Sequence, residues 1–163
     1  MSDQNDPRLG TLFAHLAAAT TVAEARTVEG QIWEIWFQGG DPKLDRQMTI
    51  GSAAMDAGDG ASAMAAFGAV IAARPDFAEG WNRRATLFFL MQRFPESVAD
   101  IEKTLELEPR HFGALSGLAM IREAQNDPFG ALEALEKVAL IHPKMPNLQD
   151  RVDRLTNMLG EAI

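Results

Sequence analysis

Three prolines, Pro75, Pro109 and Pro143, recur at a constant spacing of 34 residues. Proline lacks the backbone N–H that continues a helix, and its ring clashes with the preceding turn, so each one predicts that a helix has just ended. A fixed period of this length is typical of chains built from stacked helix pairs, in which each pair buries its apolar side against its neighbours. The spacing therefore predicts an all-α array of helix pairs.

Two positions of each period hold only small residues. The first column contains Gly51, Ala85 and Ala119, and the second contains Ala63, Ser97 and Ala131. A large apolar side chain follows four residues after the second column, as Phe67, Ile101 and Leu135. Small residues let two helices approach closely, and the large side chain then fills the space behind the contact. The columns predict where the paired helices touch.

With these columns in place, the segment 44–145 resembles three tetratricopeptide repeats, 44–77, 78–111 and 112–145. The middle unit is most similar to the family pattern W-x₂-L-G-x₂-Y…A-x₃-F…P, through Trp81, Ala85, Phe88, Ser97, Ile101 and Pro109. It departs from the pattern at Arg84, which stands where Leu is usual. The resemblance implies a right-handed superhelical α-solenoid of antiparallel helix pairs.

Two further segments complete a single tetratricopeptide-like domain over 1–163. A helix pair that does not keep the repeat columns is predicted at 7–38, its second helix beginning at the capping-box spacing of Thr21 and Glu24. A C-terminal capping helix is predicted at 146–160, because an apolar row on one side would cover the last repeat. That row consists of Leu148, Val152, Leu155 and Leu159.

Composition narrows the possible partners and compartments. The net charge of −8 disfavours nucleic acid, whose phosphates require clustered Lys and Arg. No stretch approaches the roughly 18 apolar residues of a membrane span, and the N-terminus has neither the basic start nor the apolar run of an export signal. A soluble, cytoplasmic protein is the default expectation, with a processed periplasmic protein left open. The absence of cysteine is compatible with any redox compartment.

The residue inventory predicts no catalytic site, no cofactor and no metal. The chain has only three histidines, and none lies four residues from another, which excludes a helical His pair as a metal ligand set. His111 and His142 stand beside the prolines at repeat junctions, where junction capping or solvent exposure is the expected role. A Gly-rich phosphate loop is also missing from the sequence. These features predict that the protein is not an enzyme.

The resemblance implies a concave groove lined by the first helix of each repeat. The positions carried over from the family have i, i+4, i+7 spacing within each helix, which places them on one side. They are Met48, Ser52 and Met55, then Asn82, Thr86 and Phe89 with Arg83 beside them, then Ser116, Met120 and Glu123. Methionine and phenylalanine beside short polar groups suit an extended peptide or a helix of another protein. The alternative is ordinary packing between helices, or coverage by the protein's own terminal helix.

Family members that grip a chaperone's C-terminal carboxylate resemble one another in a clamp of two Lys or Arg and two Asn. The matching positions here read Met48, Ser52, Arg83, Gly113 and Gly117, and only Arg83 is charged. A carboxylate would therefore be left short of donors. The sequence predicts an adaptor or scaffold that does not recognise chaperone tails.

An aromatic segment in the non-repeating helix pair supports a rival hypothesis. Trp33, Trp36 and Phe37 make this helix apolar on more than one side. Such a helix must be covered on two sides, either by neighbouring helices or by a partner. The rival function is thus a self-assembling structural protein, so the expected state is a monomer or a weak homodimer.

Overall fold

The computed structural model describes residues 3–161, and within them the chain forms helices and no strand. Short turns join successive helices. In chain order they are α1 (Arg8–Ala18), α2 (Val22–Phe37), α3 (Pro42–Asp56), α4 (Gly60–Ala73), α5 (Ala78–Leu90), α6 (Phe94–Leu107), α7 (Phe112–Ala124), α8 (Pro128–Ile141) and α9 (Leu148–Glu161). The predicted all-α fold and the three repeat pairs, α3 with α4, α5 with α6 and α7 with α8, are confirmed.

The described chain divides into two compact units. The first comprises residues 3–9 and 33–109 and contains the first two repeats. The second comprises residues 10–32 and 110–161 and contains the third repeat with α9. Each unit therefore combines a part of the non-repeating N-terminal pair with a part of the repeat array. The expectation of a single domain over 1–163 stays a prediction.

The turn inside each repeat is built from the backbone and keeps the 34-residue period. Gly58, Gln92 and Asn126 all have positive φ, at 76°, 57° and 56°. Each donates its N–H to the carbonyl three residues back, and the next residue donates to the carbonyl five residues back at 2.8 Å. These two bonds form the Schellman motif, which satisfies the last carbonyls of a helix. Gln92 adopts this conformation without the glycine or asparagine that usually marks it.

The predicted helix ends at the repeat prolines are also observed. Arg74, Glu108 and His142 each precede a proline and have φ near −140° with ψ between 71° and 89°. Steric conflict with the proline ring moves the preceding residue out of the helical region. The helices α4, α6 and α8 consequently stop at the same point of every period.

The two small columns lie in the buried contacts between paired helices. In the first unit, a Cβ placed on Gly51 would lie 2.5 Å from Phe67 Cε1, so only glycine fits beside that ring. In the next repeat, where Ile101 replaces the ring, Ala85 is accommodated and its carbonyl accepts a 2.7 Å hydrogen bond from Ser97 Oγ. The size of the small residue therefore follows the size of the side chain that it faces.

Arg84, the departure from the family pattern, forms a bidentate ion pair between α5 and α6. Its Nε and Nη2 lie 2.7 and 2.9 Å from the two carboxylate oxygens of Asp100, which is buried. The guanidinium also lies against the rings of Trp81 and Phe88, with Cζ 5.2 and 5.5 Å from their centroids. A paired charge thus takes the place of the usual leucine in this helix contact.

The predicted helix starts in the N-terminal pair are observed with their capping bonds. Asp6 Oδ1 accepts from the N–H of Arg8 at 2.9 Å, and Thr21 Oγ1 accepts from the N–H of Glu24 at 3.2 Å. In a capping box, the Glu24 carboxylate would accept from the N–H of Thr21. Here it accepts from the N–H and the hydroxyl of Thr20. Both helices begin where the sequence indicates.

We expect Gly51→Ala to destabilise the protein, although alanine is the better helix former. The new Cβ would force the buried Phe67 ring to shift, at a cost of about 1–3 kcal/mol. Gly68→Ala is the matched control because nothing lies within 4 Å of its Cβ position, and it should gain about 0.5–1 kcal/mol. Denaturant melts measure both. Equal stability of the two variants would contradict the close contact.

Arg84→Leu restores the family residue but should lower the free energy of unfolding by about 2–3 kcal/mol, because it leaves the Asp100 carboxylate buried without its partner. Adding Asp100→Asn should recover part of this loss. A double-mutant cycle by chemical denaturation measures the coupling. Purely additive effects would show that the ion pair contributes no coupling energy.

Candidate functional site

The predicted groove positions in the first unit fall into a covered group and an open group. Met48 is 0% exposed and belongs to the core around Phe67 and Phe77, on which Phe37 also packs, so it is covered in this structure. Asn82 is 7% exposed. Both lie toward the N-terminal ends of their helices, and this end of the predicted groove is covered.

Arg83 and Asn82 share one buried carboxylate. Glu79, one helical turn earlier on α5, is 1% exposed. Its Oε1 accepts from Arg83 Nε at 2.9 Å and from Asn82 Nδ2 at 3.1 Å. Arg83, which the sequence identifies as the one charged residue at the clamp positions, is therefore already paired within its own helix.

The aromatic residues of α2 that belong to the first unit contact the same arginine. Arg83 Cζ lies 5.0 Å from the centroid of Phe37 and 6.0 Å from that of Trp33. Phe37 also packs on the core that contains Met48, and Trp36 is buried with its ring edge-on to Trp33 at 5.3 Å. The sequence does not predict this contact with the middle repeat, because nothing in the repeat pattern relates α2 to α5.

The open group lies toward the C-terminal ends of α3 and α5. Ser52, Met55 and Phe89 are half-buried and Thr86 is exposed. The Phe89 ring lies 5.8 Å from that of Phe94 at the start of α6. Leu90, next along the chain, is 61% exposed.

Leu90 is a candidate site residue that the predicted set omits. It lies four residues after Thr86 and seven after Arg83, which is the spacing that defines the other groove positions. Its neighbour Met91 is also exposed. Including the residue that follows Phe89 in the predicted groove would have identified this apolar edge from the sequence.

In the second unit, the C-terminal helix contacts two of the three predicted positions. Arg151 Nη1 donates to Ser116 Oγ at 3.2 Å, and Arg151 Nη2 donates to Glu123 Oε1 at 2.6 Å. Arg154 donates to Glu123 Oε2 at 2.7 Å. Met120 is exposed between them on α7. The side of α9 that carries Arg151 and Arg154 thus supplies two arginines to α7.

The electrostatics of Glu123 follow from this contact. Burial acts to raise the pKa of its carboxyl, but hydrogen bonds and charge from Arg151 and Arg154 outweigh burial, and the pKa falls below its ordinary value of 4.5. The carboxylate is therefore ionised at neutral pH and connects α7 to α9.

The two junction histidines are buried structural residues. His111 Nδ1 accepts from the N–H of Ala114 at 3.0 Å and caps α7, as the junction-capping expectation indicates. His142 is fully buried and its Nε2 lies 2.9 Å from Glu29 Oε2. The alternative expectation of solvent exposure is wrong for both, because these bonds and the packing of Phe112 against His142 hold the rings inside the second unit.

Two general features of the described residues bear on the kinds of site present. Among residues 3–161, no three His, Asp or Glu side chains are grouped as metal ligands. No helix in that range is both long enough and apolar enough to cross a bilayer.

Paired helices of 13 to 15 residues, in contact through small residues and closed by turns of one type, define the class of helical-repeat arrays. A family model described as tetratricopeptide repeat matches residues 48–99. A TPR repeat-containing protein of Rhizobium etli is 35% identical over 156 residues, which cover 96% of this chain and 74% of that protein. The chain belongs to the tetratricopeptide repeat family.

Two solved structures share the fold at lower identity. The TPR2B domain of yeast Sti1 in complex with pHsp70 has a TM-score of 0.65 and 22% identity, over 72% of this chain and 99% of that one. The Sgt2 TPR domain from Aspergillus fumigatus has a TM-score of 0.68 and 21% identity, over 75% and 82% of the two chains. Both support the tetratricopeptide-type α-solenoid.

We expect Glu123→Gln to cost about 1–2 kcal/mol at neutral pH, because two charge-assisted hydrogen bonds are weakened. A carboxyl whose pKa is lowered by folding stabilises the folded state above its unfolded pKa, and this stabilisation is lost as pH falls through the folded value. The difference between wild type and variant should therefore shrink below about pH 4.5. Urea melts from pH 7 to pH 3 measure it, with Glu136→Gln, at an exposed position of α8, as the control. A pH-independent difference would contradict the ion pair.

Proposed function

We propose that this protein is a non-enzymatic adaptor that holds a peptide or a helix of another protein against the inner helices of its repeats. The observation that carries the proposal is the apolar edge at the C-terminal end of α5. There a half-buried Phe89 adjoins the exposed side chains of Leu90 and Met91. Exposed aliphatic and aromatic groups beside short polar residues are the usual composition of a peptide-binding surface.

The comparisons supply further support. The Sti1 TPR2B structure is a complex with pHsp70, so a protein of this fold is known to bind a protein ligand. At 22% identity, the likeness concerns the fold, and the identity of the ligand has to come from the side chains of this chain.

Those side chains disfavour a chaperone C-terminus as the ligand. A carboxylate needs several unpaired donors, and Arg83 is already bonded to Glu79. The open surface formed by Met55, Thr86, Phe89 and Leu90 carries no cation. An apolar segment of a partner therefore fits better than a charged terminus.

The self-assembly alternative has less support from the same geometry. Trp36 is buried, and the rings of Trp33 and Phe37 lie against Arg83 and the core. An aromatic face that is engaged within its own chain offers little surface to a second copy. Absence of catalysis remains part of the proposal, because the residues of the open surface include no nucleophile paired with a base.

A cross-linked pull-down from the host organism tests the adaptor function. Phe89→Ala and Leu90→Ala should each reduce partner capture at least tenfold, since removing a central apolar anchor costs about 1.4–3 kcal/mol of binding. Leu140→Ala is the matched control, because Leu140 is also an exposed leucine and lies on α8, the second helix of its repeat. Melting curves verify that each variant is folded.

Capture that survives Phe89→Ala together with Leu90→Ala, but is lost in Leu140→Ala, would overturn the inner-helix site and place binding on α8. Light scattering at micromolar concentration examines the self-assembly alternative separately. A dimer that dissociates on Trp33→Ala would favour that alternative.

A further inference from the structure

Part of the inner surface of the first unit is already occupied by the chain itself. Trp33 and Phe37, one helical turn apart on α2, lie against the Arg83 guanidinium on α5. Phe37 continues onto the core around Met48. We call the surface formed by Met48, Glu79, Asn82 and Arg83 the aromatic seat.

The residues of the aromatic seat have the character of a receptor for aromatic side chains. Glu79 holds the Arg83 guanidinium by a 2.9 Å bond from Nε, which fixes the cation beside the two rings. A guanidinium held in this way attracts the face of an aromatic ring. The adjoining apolar surface is the core that contains Met48, and Phe37 packs against it.

The N-terminal residues reinforce this arrangement at the start of α5. Gln4 Nε2 donates to the carbonyl of Asp76 at 2.6 Å, and Gln4 Oε1 accepts from the N–H of Ala78 at 3.1 Å. The first unit thus holds two N-terminal segments against α5 or the residues just before it, one through Gln4 and the other through Trp33 and Phe37.

We infer that the Trp33–Phe37 segment is an intramolecular ligand of the aromatic seat, and that a partner engages the seat with a helix carrying two aromatic side chains four residues apart. The inference rests on the proposed adaptor function and names the chemistry of the partner. The partner helix replaces the α2 segment beside Arg83. Binding is therefore controlled by competition between the two helices for one surface.

The probe is a fluorescein-labelled peptide of residues 20–38, which carries the α2 sequence, added to full-length protein and followed by anisotropy. Full-length Phe37→Ala should bind it at least tenfold more tightly than wild type, because the tethered competitor acts at an effective concentration of about 1 mM. The same peptide carrying Trp33→Ala and Phe37→Ala should not bind. Adding Arg83→Gln to the Phe37→Ala protein should remove the gain.

Phe129→Ala is the matched control, because Phe129 is an exposed phenylalanine on α8, remote in sequence from the seat. It should bind the peptide as weakly as wild type does. Should Phe37→Ala fail to fold, Phe37→Leu retains apolar volume against the core and removes only the aromatic face. It should show a smaller gain in the same direction.

Equal affinity of folded wild type and both Phe37 variants for the peptide, or binding that persists after Arg83→Gln, would overturn the inference. The proposed function is judged separately by partner capture through Phe89 and Leu90. Capture that depends on Leu90 while the peptide binds no folded variant removes the intramolecular ligand and leaves the adaptor intact. Peptide binding, together with partner capture that is unchanged in Phe89→Ala and Leu90→Ala, would support the intramolecular ligand and contradict the proposed adaptor site.

Discussion

The structure depends on the close approach of the two helices within each repeat. Where a phenylalanine fills the contact, as Phe67 does, the facing residue must be Gly51. Where the filler is branched, as Ile101 is, alanine fits. Because a repeat has no separate core of its own, an error in this spacing would be passed to the neighbouring helix pair. Every other feature, from the turns to the open surface, is positioned by these contacts.

Much of the fold could be predicted from the period alone. The prolines predict the ends of the outer helices, and the small columns predict the contacts between paired helices. The left-handed conformation of Gln92 could not be predicted from its residue type. The same backbone hydrogen bonds form there as in the turns at Gly58 and Asn126. Arg84 is similar, because its pairing with Asp100 joins residues that no motif connects.

The candidate site was less predictable for a physical reason. A repeat pattern indicates which face of a helix points inward, but it does not tell whether another segment lies on that face. Met48 is at a groove position by its spacing and in the core by its packing. Glu123 is likewise at a groove position, and it is bonded by two arginines of α9. Which positions are covered in this way is visible only from the tertiary contacts, because the covering segments lie outside the repeat pattern.

The hydrogen bonds of the N-terminal residues have a consequence for the order of folding. Within a repeat, contacts join residues close in the chain, whereas Gln4 reaches partners 72 and 74 residues away and Glu29 reaches a partner 113 residues away. Closing such long loops costs more chain entropy than closing a helix pair, so we expect these contacts to form after the repeats. In that order of folding, the inner faces of the repeats exist before the N-terminal segments reach them. A partner present at that moment meets a surface that the finished protein covers.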